Sequence, residues 1–518
     1  MKNVENINPI IKMDYPDPDV IRVGDTYYMA STTMHFFPGC AILRSYDLVN
    51  WELITYVYER LDSTTAQCME EDDSIYGQGM WAPCLRYHKG MFYVCFVAND
   101  THKTYLYTAK SPEGSWDRQN IDGFYHDCSL LFDEDDKVYI VYGNTEIHLT
   151  ELKADLSGPL SGGLDRVIVR EQDNHFLGYE GSHIYKIDGR YYVFFIHSLK
   201  DRWKRVQACF MSESLAGGFV GGDVFEDTLG YCNQGVAQGG IVDTPWGDRY
   251  AVLFQDHGAV GRLPILIPMQ FENGLPVIGL NGRMPQEIPY KSTRPDHVYA
   301  PLYESDDFAY QPDRNGKVTL KKVWQFNHEP KEELWEVRDN SFRITTGKLC
   351  RNLTQAQNTL TQRLLFPACR VEVTLDIRKL NNGDCAGLCA LQGCYGMIAV
   401  KMEEGNAYLV MGARESEDES MVPPKPDSGP CTEYEMIPLK KHQVRLYLEV
   451  DFLQMKDQVV FGYVEDGNSI RVGKKHKLYF KMDHFCGCRA GLFMFSTKQT
   501  GGTASFHDFV YKPMQLTL

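Results

Sequence analysis

The chain has 518 residues and a formal net charge of −16, with 43% apolar and 24% charged residues. This length favours two or three domains with sizeable cores, and this composition is typical of a folded globular protein rather than a disordered one. The negative charge argues against a nucleic-acid partner or an anionic membrane surface, because both would repel it. No run of apolar residues is long enough for a membrane-spanning helix, so we expect no membrane partner.

Two features of the sequence bear on the compartment and on metals. The first six residues lack the apolar segment of a secretory signal. The chain has 15 cysteines, many within apolar runs, and no Cys-x-x-Cys pair occurs. We therefore predict buried free thiols, a cytoplasmic location and no metal site.

One short unit recurs five times in the first part of the chain. It consists of an apolar residue, a Gly/Asp turn and a run of aromatic and apolar residues, which is typical of a tight hairpin between buried strands. The copies begin at Val23, Tyr87, Asp135, Ile187 and Trp246. Repeats of this length are typical of four-stranded blades. We predict an all-β protein in which residues 1–300 form a five-bladed β-propeller.

Alternating apolar and polar runs continue after a proline-rich linker at residues 285–296, for example at residues 369–376 and 442–450. Many strands at short spacing without helical periodicity predict a β-sandwich over residues 301–518. The acidic, proline-rich residues 415–430 are predicted to form a surface loop.

Three carboxylates occupy equivalent places in the repeats. Asp17, Asp127 and Glu180 each lie just before a hairpin copy, where the inner strands of blades one, three and four begin. Inner strands converge on the axis of a propeller, so these carboxylates should meet at one mouth. Carboxyl groups that share a cleft titrate at different pH values, so one stays protonated while another is ionised. Hydrolysis of a glycosidic bond needs such an acid and such a base.

Other catalytic signatures are missing from the sequence. It contains no Gly-x-Ser-x-Gly elbow, no Walker A loop and no His-Glu-x-x-His motif. His126, beside Asp127, and His257 are candidate metal ligands, but we interpret both as hydrogen-bonded structural residues.

A series of motifs, taken in chain order, resembles glycoside hydrolase family 43. They are residues 15–20 (YPDPDV), 36–39 (FFPG), 45–51 (SYDLVNW), 80–83 (MWAP), 126–130 (HDCSL), 179–183 (YEGSH), 238–242 (QGGIV) and 258–262 (GAVGR). The second half resembles the concanavalin-like β-sandwich of the family's β-xylosidases, at residues 324–328 (WQFNH) and 358–363 (NTLTQR).

The resemblance implies an inverting, exo-acting hydrolase with an oligosaccharide substrate. Asp17 would be the general base, Glu180 the general acid, and Asp127 the residue that tunes the acid and positions the sugar. The substrate-binding residues it implies are Arg262, Phe37, Trp81 and Phe485.

We expect release of β-D-xylose from the non-reducing ends of xylo-oligosaccharides. The alternative is an α-L-arabinofuranosidase, or an enzyme with both activities. A non-catalytic carbohydrate-binding protein is the alternative from a different class.

The chain also departs from the family pattern. Gln238 stands where many members have a histidine that helps to hold an ion on the propeller axis. We expect no required cofactor. Whether a structural Ca²⁺ binds on the axis is left open, and His257 is the residue that could replace the missing histidine ligand. His126-Asp127-Cys128 replaces the more usual Phe-Asp-Pro.

Members with this sandwich often associate, so we also expect a homo-oligomer.

Overall fold

The computed structural model describes residues 2–5, 7–171, 173–314, 316–415, 420–421 and 431–515. These residues contain β-strands, short 3-10 helices and loops but no α-helix, so the predicted all-β class is confirmed. None of the helices in these ranges is long and apolar enough to cross a membrane. Most of the loop predicted at residues 415–430 lies outside the described residues.

The first half folds into five antiparallel sheets of four strands, each made of strands close together in sequence. The blades are β2-β3-β5-β6, β7 to β10, β11 to β14, β15 to β18 and β19 to β22. The strand bounds are β1 (Lys2–Glu5), β2 (Asp19–Val23), β3 (Thr26–Ser31), β4 (Phe36–Phe37), β5 (Gly39–Ser45), β6 (Glu52–Tyr58), β7 (Met80–His88), β8 (Met91–Ala98), β9 (Lys103–Ala109), β10 (Asp117–Ile121), β11 (Ser129–Phe132), β12 (Val138–Asn144), β13 (Glu146–Leu152), β14 (Asp165–Arg170), β15 (Glu180–Ile187), β16 (Arg190–Ser198), β17 (Arg205–Ser212), β18 (Val220–Phe225), β19 (Val236–Asp243), β20 (Arg249–Asp256), β21 (Arg262–Glu272), β22 (Leu275–Ile278) and β23 (Glu287–Tyr290).

The inner strands close the ring. The contacts run from β2 to β7, β7 to β11, β11 to β15, β15 to β19 and β19 back to β2. The predicted five-bladed propeller is therefore confirmed. The hairpins form where the sequence places turn residues: Asp188 and Gly189, between β15 and β16, both have positive φ (50° and 78°). A two-residue turn of this kind matches the twist of the two strands that it joins.

The second half is a sandwich of an eight-stranded and a seven-stranded sheet. Fully buried apolar residues such as Val373, Leu388 and Phe461 belong to its core. The strands are β24 (Gln325–Asn327), β25 (Trp335–Arg338), β26 (Ser341–Thr345), β27 (Leu360–Arg363), β28 (Ala368–Lys379), β29 (Asp384–Leu391), β30 (Gly396–Glu403), β31 (Asn406–Ala413), β32 (Thr432–Leu439), β33 (Gln443–Asp451), β34 (Gln458–Glu465), β35 (Asn468–Lys477), β36 (Arg489–Ser496) and β37 (Thr503–Pro513).

The two domains share hydrogen-bonded structure. Strand β4, from a loop of the first blade, forms the edge of the eight-stranded sheet by pairing with β24. The Asp14 carboxylate accepts a bond from the backbone N–H of Arg262 in the propeller (2.8 Å) and one from that of Gly487 in the sandwich (2.7 Å). Part of the predicted linker is a strand, because β23 pairs with β1. The sandwich is thus fixed against one mouth of the propeller.

Candidate active site

A cavity of about 460 Å³ lies between the propeller and the sandwich. Its lining includes Asp17, Asp127 and Glu180, which come from three different blades. This volume is within the range of small-molecule sites in proteins. The fold thus brings the three predicted carboxylates into one cavity.

Asp17 is held from two sides. Its backbone has a φ of 51°, and its side chain is almost fully buried. Thr32 Oγ1 donates to Oδ2 at 2.7 Å, and Arg262 Nη1 donates to Oδ1 at 2.9 Å. Together the two bonds fix the orientation of the Asp17 carboxylate at the cavity.

The two aspartates on either side of Asp17 do not line this cavity. Asp14 is used by the two amides at the domain junction. Asp19 is fully buried, and it binds Arg86 Nη1 at 2.7 Å and the Nδ1 of His183 at 3.1 Å. Burial alone would raise the pKa of Asp19, but the charges of Arg86 and His183 outweigh it and hold this pKa below its ordinary value.

Asp127 is buried beside the other two carboxylates. Its backbone has a φ of 48°, and the N–H of Gly181 donates to its Oδ2 at 3.0 Å. Burial raises the pKa of Asp127 well above its ordinary value; His126 opposes this rise, while Glu180 and Asp17 add to it. Asp127 therefore has a protonated population near neutral pH, and it can donate a hydrogen bond to a sugar hydroxyl.

Glu180 is the first residue of β15, and its side chain is 18% exposed to the cavity. Asn144, the last residue of β12 in the neighbouring blade, donates from Nδ2 to Glu180 Oε2 at 2.6 Å. The Oδ1 of Asn144 accepts a bond from Thr145 Oγ1 at 3.0 Å, which fixes the direction of the amide. No motif in the sequence distinguished Asn144, because its role depends on the packing of two blades.

His126 lies between two of the carboxylates. Its Nε2 is 3.6 Å from Glu180 Oε2 and 3.8 Å from Asp127 Oδ1. Burial would lower the pKa of His126, but the Asp127 and Glu180 carboxylates outweigh it and raise this pKa to about 9. The three residues offer ligand atoms within 4.8 Å of one another. Asp127 Oδ2 already accepts a bond from Gly181, and Glu180 Oε2 accepts one from Asn144. The arrangement of His126, Asp127 and Glu180 therefore suits proton transfer.

Three of the four predicted substrate-binding residues form the wall of the cavity. The rings of Trp81 and Phe485 lie 5.3 Å apart, and the Arg262 guanidinium lies 4.6 Å from the Phe485 ring. Arg262 and Trp81 come from the propeller, and Phe485 comes from the loop between β35 and β36 of the sandwich. The second domain therefore completes the cavity.

The prediction for Phe37 is wrong. Phe37 is 1% exposed, belongs to the apolar core between the first two blades, and packs edge-on against Tyr58. As part of β4 it pairs with Phe326 of the sandwich, and it is not among the residues that line the cavity. Met34, three residues earlier, lines the cavity instead.

Two exposed aromatic residues that sequence reasoning missed also line the cavity. Phe176 is 47% exposed and Trp203 is 42% exposed. They lie in the loops before β15 and between β16 and β17. Exposed aromatic faces at the edge of a cavity that also holds carboxylates suit stacking on a sugar ring.

The propeller axis beneath the cavity does not fit a calcium ion at the level of Asp19. The Oδ2 of Asp19 accepts bonds from Arg86 Nη1 and from the N–H of Leu85, both at 2.7 Å. Arg86 Nη2 also donates to Ser129 Oγ at 2.6 Å, so a guanidinium supplies the positive charge at this point.

The predicted substitute ligand for such an ion lies elsewhere. His257 stacks on Tyr231 and contacts Phe366 of the sandwich. Its Nε2 is bonded to Gln255 Oε1 at 3.1 Å, and His257 is not part of the cavity lining.

Comparison with known families agrees with this architecture. Residues 7–276 match the family model of glycosyl hydrolases family 43, and residues 315–512 match that of the β-xylosidase C-terminal concanavalin A-like domain. The molecule is thus a glycosidase built on a β-propeller with a concanavalin-like sandwich. The chain belongs to glycosyl hydrolase family 43, which confirms the predicted membership.

Individual relatives cover most of the chain. A β-xylosidase of Formosa agariphila is 25% identical over 98% of this chain and 90% of its own length. A non-reducing end α-L-arabinofuranosidase of Bacteroides ovatus is 26% identical over 64% of this chain and 63% of its own. Among solved structures, a bifunctional GH43-CE protein of Bacteroides eggerthii is 39% identical with a TM-score of 0.89. That match covers 99% of this chain, which spans 64% of the bifunctional protein.

Proposed function

We propose that this protein is an exo-acting, inverting β-D-xylosidase that removes single xylose residues from the non-reducing ends of xylo-oligosaccharides. The observation that carries the proposal is the cavity in which Asp17, Asp127 and Glu180 meet beneath a wall supplied by the sandwich. Similarity to enzymes named β-xylosidase supports xylose as the sugar that is released.

The hydrogen bonds around the carboxylates support the division of roles. Glu180, held by Asn144, gives its proton to the glycosidic oxygen, and the bond from that oxygen to the anomeric carbon breaks. Asp17, held by Arg262 and Thr32, takes a proton from the water that attacks the opposite face of the sugar. The product then has the inverted anomeric configuration, and one proton has moved to Asp17 while one has left Glu180.

The enclosed shape of the cavity supports exo action. Phe485 and Met482 from the sandwich line it together with propeller residues, so the sandwich covers one side of the carboxylates. A closed end of this kind accepts a chain terminus rather than the middle of a polysaccharide.

The α-L-arabinofuranosidase is the second candidate. Similarity to a relative of that name supports it, and the same three carboxylates would perform the reaction. The two sugars present similar hydroxyl groups near the scissile bond, so the choice rests on measured turnover.

We also propose that the enzyme acts in a reducing compartment, the cytoplasm. All 15 cysteines are free, and the Cys95 and Cys128 sulfur atoms lie 3.5 Å apart without a disulfide. Thiols this close together stay reduced only where the redox potential keeps them so.

The test uses 4-nitrophenyl β-D-xyloside, 4-nitrophenyl α-L-arabinofuranoside and xylobiose as substrates. We expect xyloside turnover, a loss of about 10²- to 10⁴-fold in kcat for Asp17→Asn and for Glu180→Gln on xylobiose, and α-xylose as the first product seen by NMR. The exposed Glu134→Gln serves as the control that keeps activity. Turnover of the arabinoside alone would move the assignment to the second candidate, and activity that survives both active-site changes would contradict the roles given to Asp17 and Glu180.

A further inference from the structure

A second cluster of ligand-type side chains lies directly behind the cavity wall. It consists of His35, in the loop between β3 and β4, and His484 and Cys486, in the loop between β35 and β36. One ligand atom from each residue lies within 4.8 Å of the other two. We call these three residues the His-Cys cluster.

The His-Cys cluster is removed from solvent. His35 is 0% exposed, His484 is 1% exposed and Cys486 is 2% exposed. The two imidazole rings lie 4.7 Å apart at 73° to each other. The cluster therefore sits inside the junction between the propeller and the sandwich, where a bound ion would be shielded from water.

The histidine nitrogens of the cluster lack hydrogen-bond partners. Neither ring nitrogen of His35 and neither of His484 has a partner among the described residues. The neighbouring His328 differs, because its Nε2 accepts a bond from the N–H of Ile75 at 2.9 Å. Leaving a buried polar atom unpaired is unfavourable, so four such atoms in one place point to a bound group that occupies some of them.

We propose that the His-Cys cluster binds a zinc ion through one nitrogen of His35, one nitrogen of His484 and the sulfur of Cys486. Zinc binds imidazole nitrogen and thiolate sulfur and is usually four-coordinate. Beside the three side chains, a water molecule enclosed in the domain junction would supply the fourth ligand. Binding replaces the thiol proton of Cys486, which is released to solvent, and the imidazoles stay neutral.

A zinc ion here would act on the catalytic cavity without touching substrate. Met34, next to His35, and Phe485, between His484 and Cys486, both line that cavity. The ion would tie a propeller loop to the sandwich loop that carries Phe485. The sequence alone predicted no metal site because the ligands come from two domains and include no Cys-x-x-Cys pair.

The experiment measures metal in the full-length protein, purified without a histidine tag and dialysed free of loosely bound ions. We expect about one zinc per chain by mass spectrometry in the wild type, and less than about one tenth of that in Cys486→Ser and in His484→Asn. Cys488→Ser is the matched control, because this cysteine is equally buried two residues further on and lies outside the cluster. It should retain the metal.

Cobalt provides a second measurement on the wild type, which does not depend on how the variants fold. Co²⁺ added to chelator-treated protein should give a near-ultraviolet thiolate-to-cobalt absorption, and a chelator should lower the Tm of the wild type but not of Cys486→Ser. A wild type that contains no stoichiometric metal and takes up neither Zn²⁺ nor Co²⁺ would overturn the proposal. Equal metal content in the wild type and in Cys486→Ser would overturn the assignment of this ligand. Neither result depends on which sugar the enzyme releases.

Discussion

Glu180 belongs to the fourth blade, and two side chains of the neighbouring third blade lie against it. Asn144 donates to Glu180 Oε2 from the third blade, and His126 faces the same oxygen from the segment before β11. We propose that both residues position the Glu180 carboxyl group relative to the glycosidic oxygen, and each leads to a prediction.

Asn144→Ala should reduce acid catalysis more than it reduces binding. Without the bond from Asn144, Glu180 can rotate away from the leaving oxygen, so kcat on xylobiose should fall about 10- to 100-fold. Hydrolysis of 4-nitrophenyl β-D-xyloside should fall less, because this leaving group needs little protonation. Steady-state kinetics on both substrates tests this, and an equal loss on both would contradict a role that acts through Glu180.

His126→Phe should change how stability depends on pH. The pKa of His126 is raised to about 9 in the folded protein, so its charge stabilises the fold fully below about pH 6.5 and this contribution is lost as the pH rises through about 9. The difference in unfolding free energy between wild type and variant should therefore shrink by about 3 kcal/mol from pH 6 to pH 9.5. Urea titrations at both pH values measure it, with the exposed His442→Gln as control. A difference that stays constant with pH would count against the raised pKa.

At the scale of elements, two loops extend the cavity beyond the three carboxylates. The loop before β15 carries Phe176, and the loop between β16 and β17 carries Trp203. Both rings are exposed at the edge of the cavity, where the second sugar of a substrate would lie. Under the proposed function, we expect these loops to contact the leaving group rather than the sugar that is released.

Trp203→Ala and Phe176→Ala should weaken binding of the leaving sugar. Loss of one stacking ring costs about 1 kcal/mol, so KM for xylotriose should rise about 3- to 10-fold in each variant. The inhibition constant of free xylose should stay unchanged, because xylose binds beside the carboxylates. A parallel rise in both constants would show that these rings contribute to the first sugar site instead.

At the scale of the whole molecule, shared hydrogen bonds join the propeller to the sandwich, and we expect the two domains to unfold together. Strand β4 of the propeller region is an edge strand of the sandwich, and Asp14 links amides of both domains. The sandwich in turn delivers Phe485 to the cavity. Loss of the junction should therefore reduce both stability and activity.

Asp14→Asn should destabilise the whole chain. The amide of asparagine can replace only one of the two acceptor oxygens, so we expect a loss of about 2 to 3 kcal/mol in the free energy of unfolding and a single cooperative transition. Urea denaturation followed by fluorescence measures both quantities. The exposed turn substitution Asp188→Asn is the control. Two separate transitions in the wild type would contradict a single unit.

The local sequence determined the elements and the positions of the three carboxylates that line the cavity. Hairpin turns such as Asp188-Gly189 depend on residues adjacent in sequence, so the five repeats and the all-β class could be predicted. Asp17, Asp127 and Glu180 could be predicted because each occupies the same position relative to an inner strand, and a propeller brings these positions to one axis.

Contacts between distant segments decided the rest. Phe37 looked like a cavity residue, but β4 pairs with the sandwich and buries it. Asn144 meets Glu180 only because two blades pack together, and His35 meets His484 and Cys486 only because the sandwich covers the propeller mouth. Such contacts join residues whose separation along the chain leaves no periodic signal, so only the tertiary structure could place them.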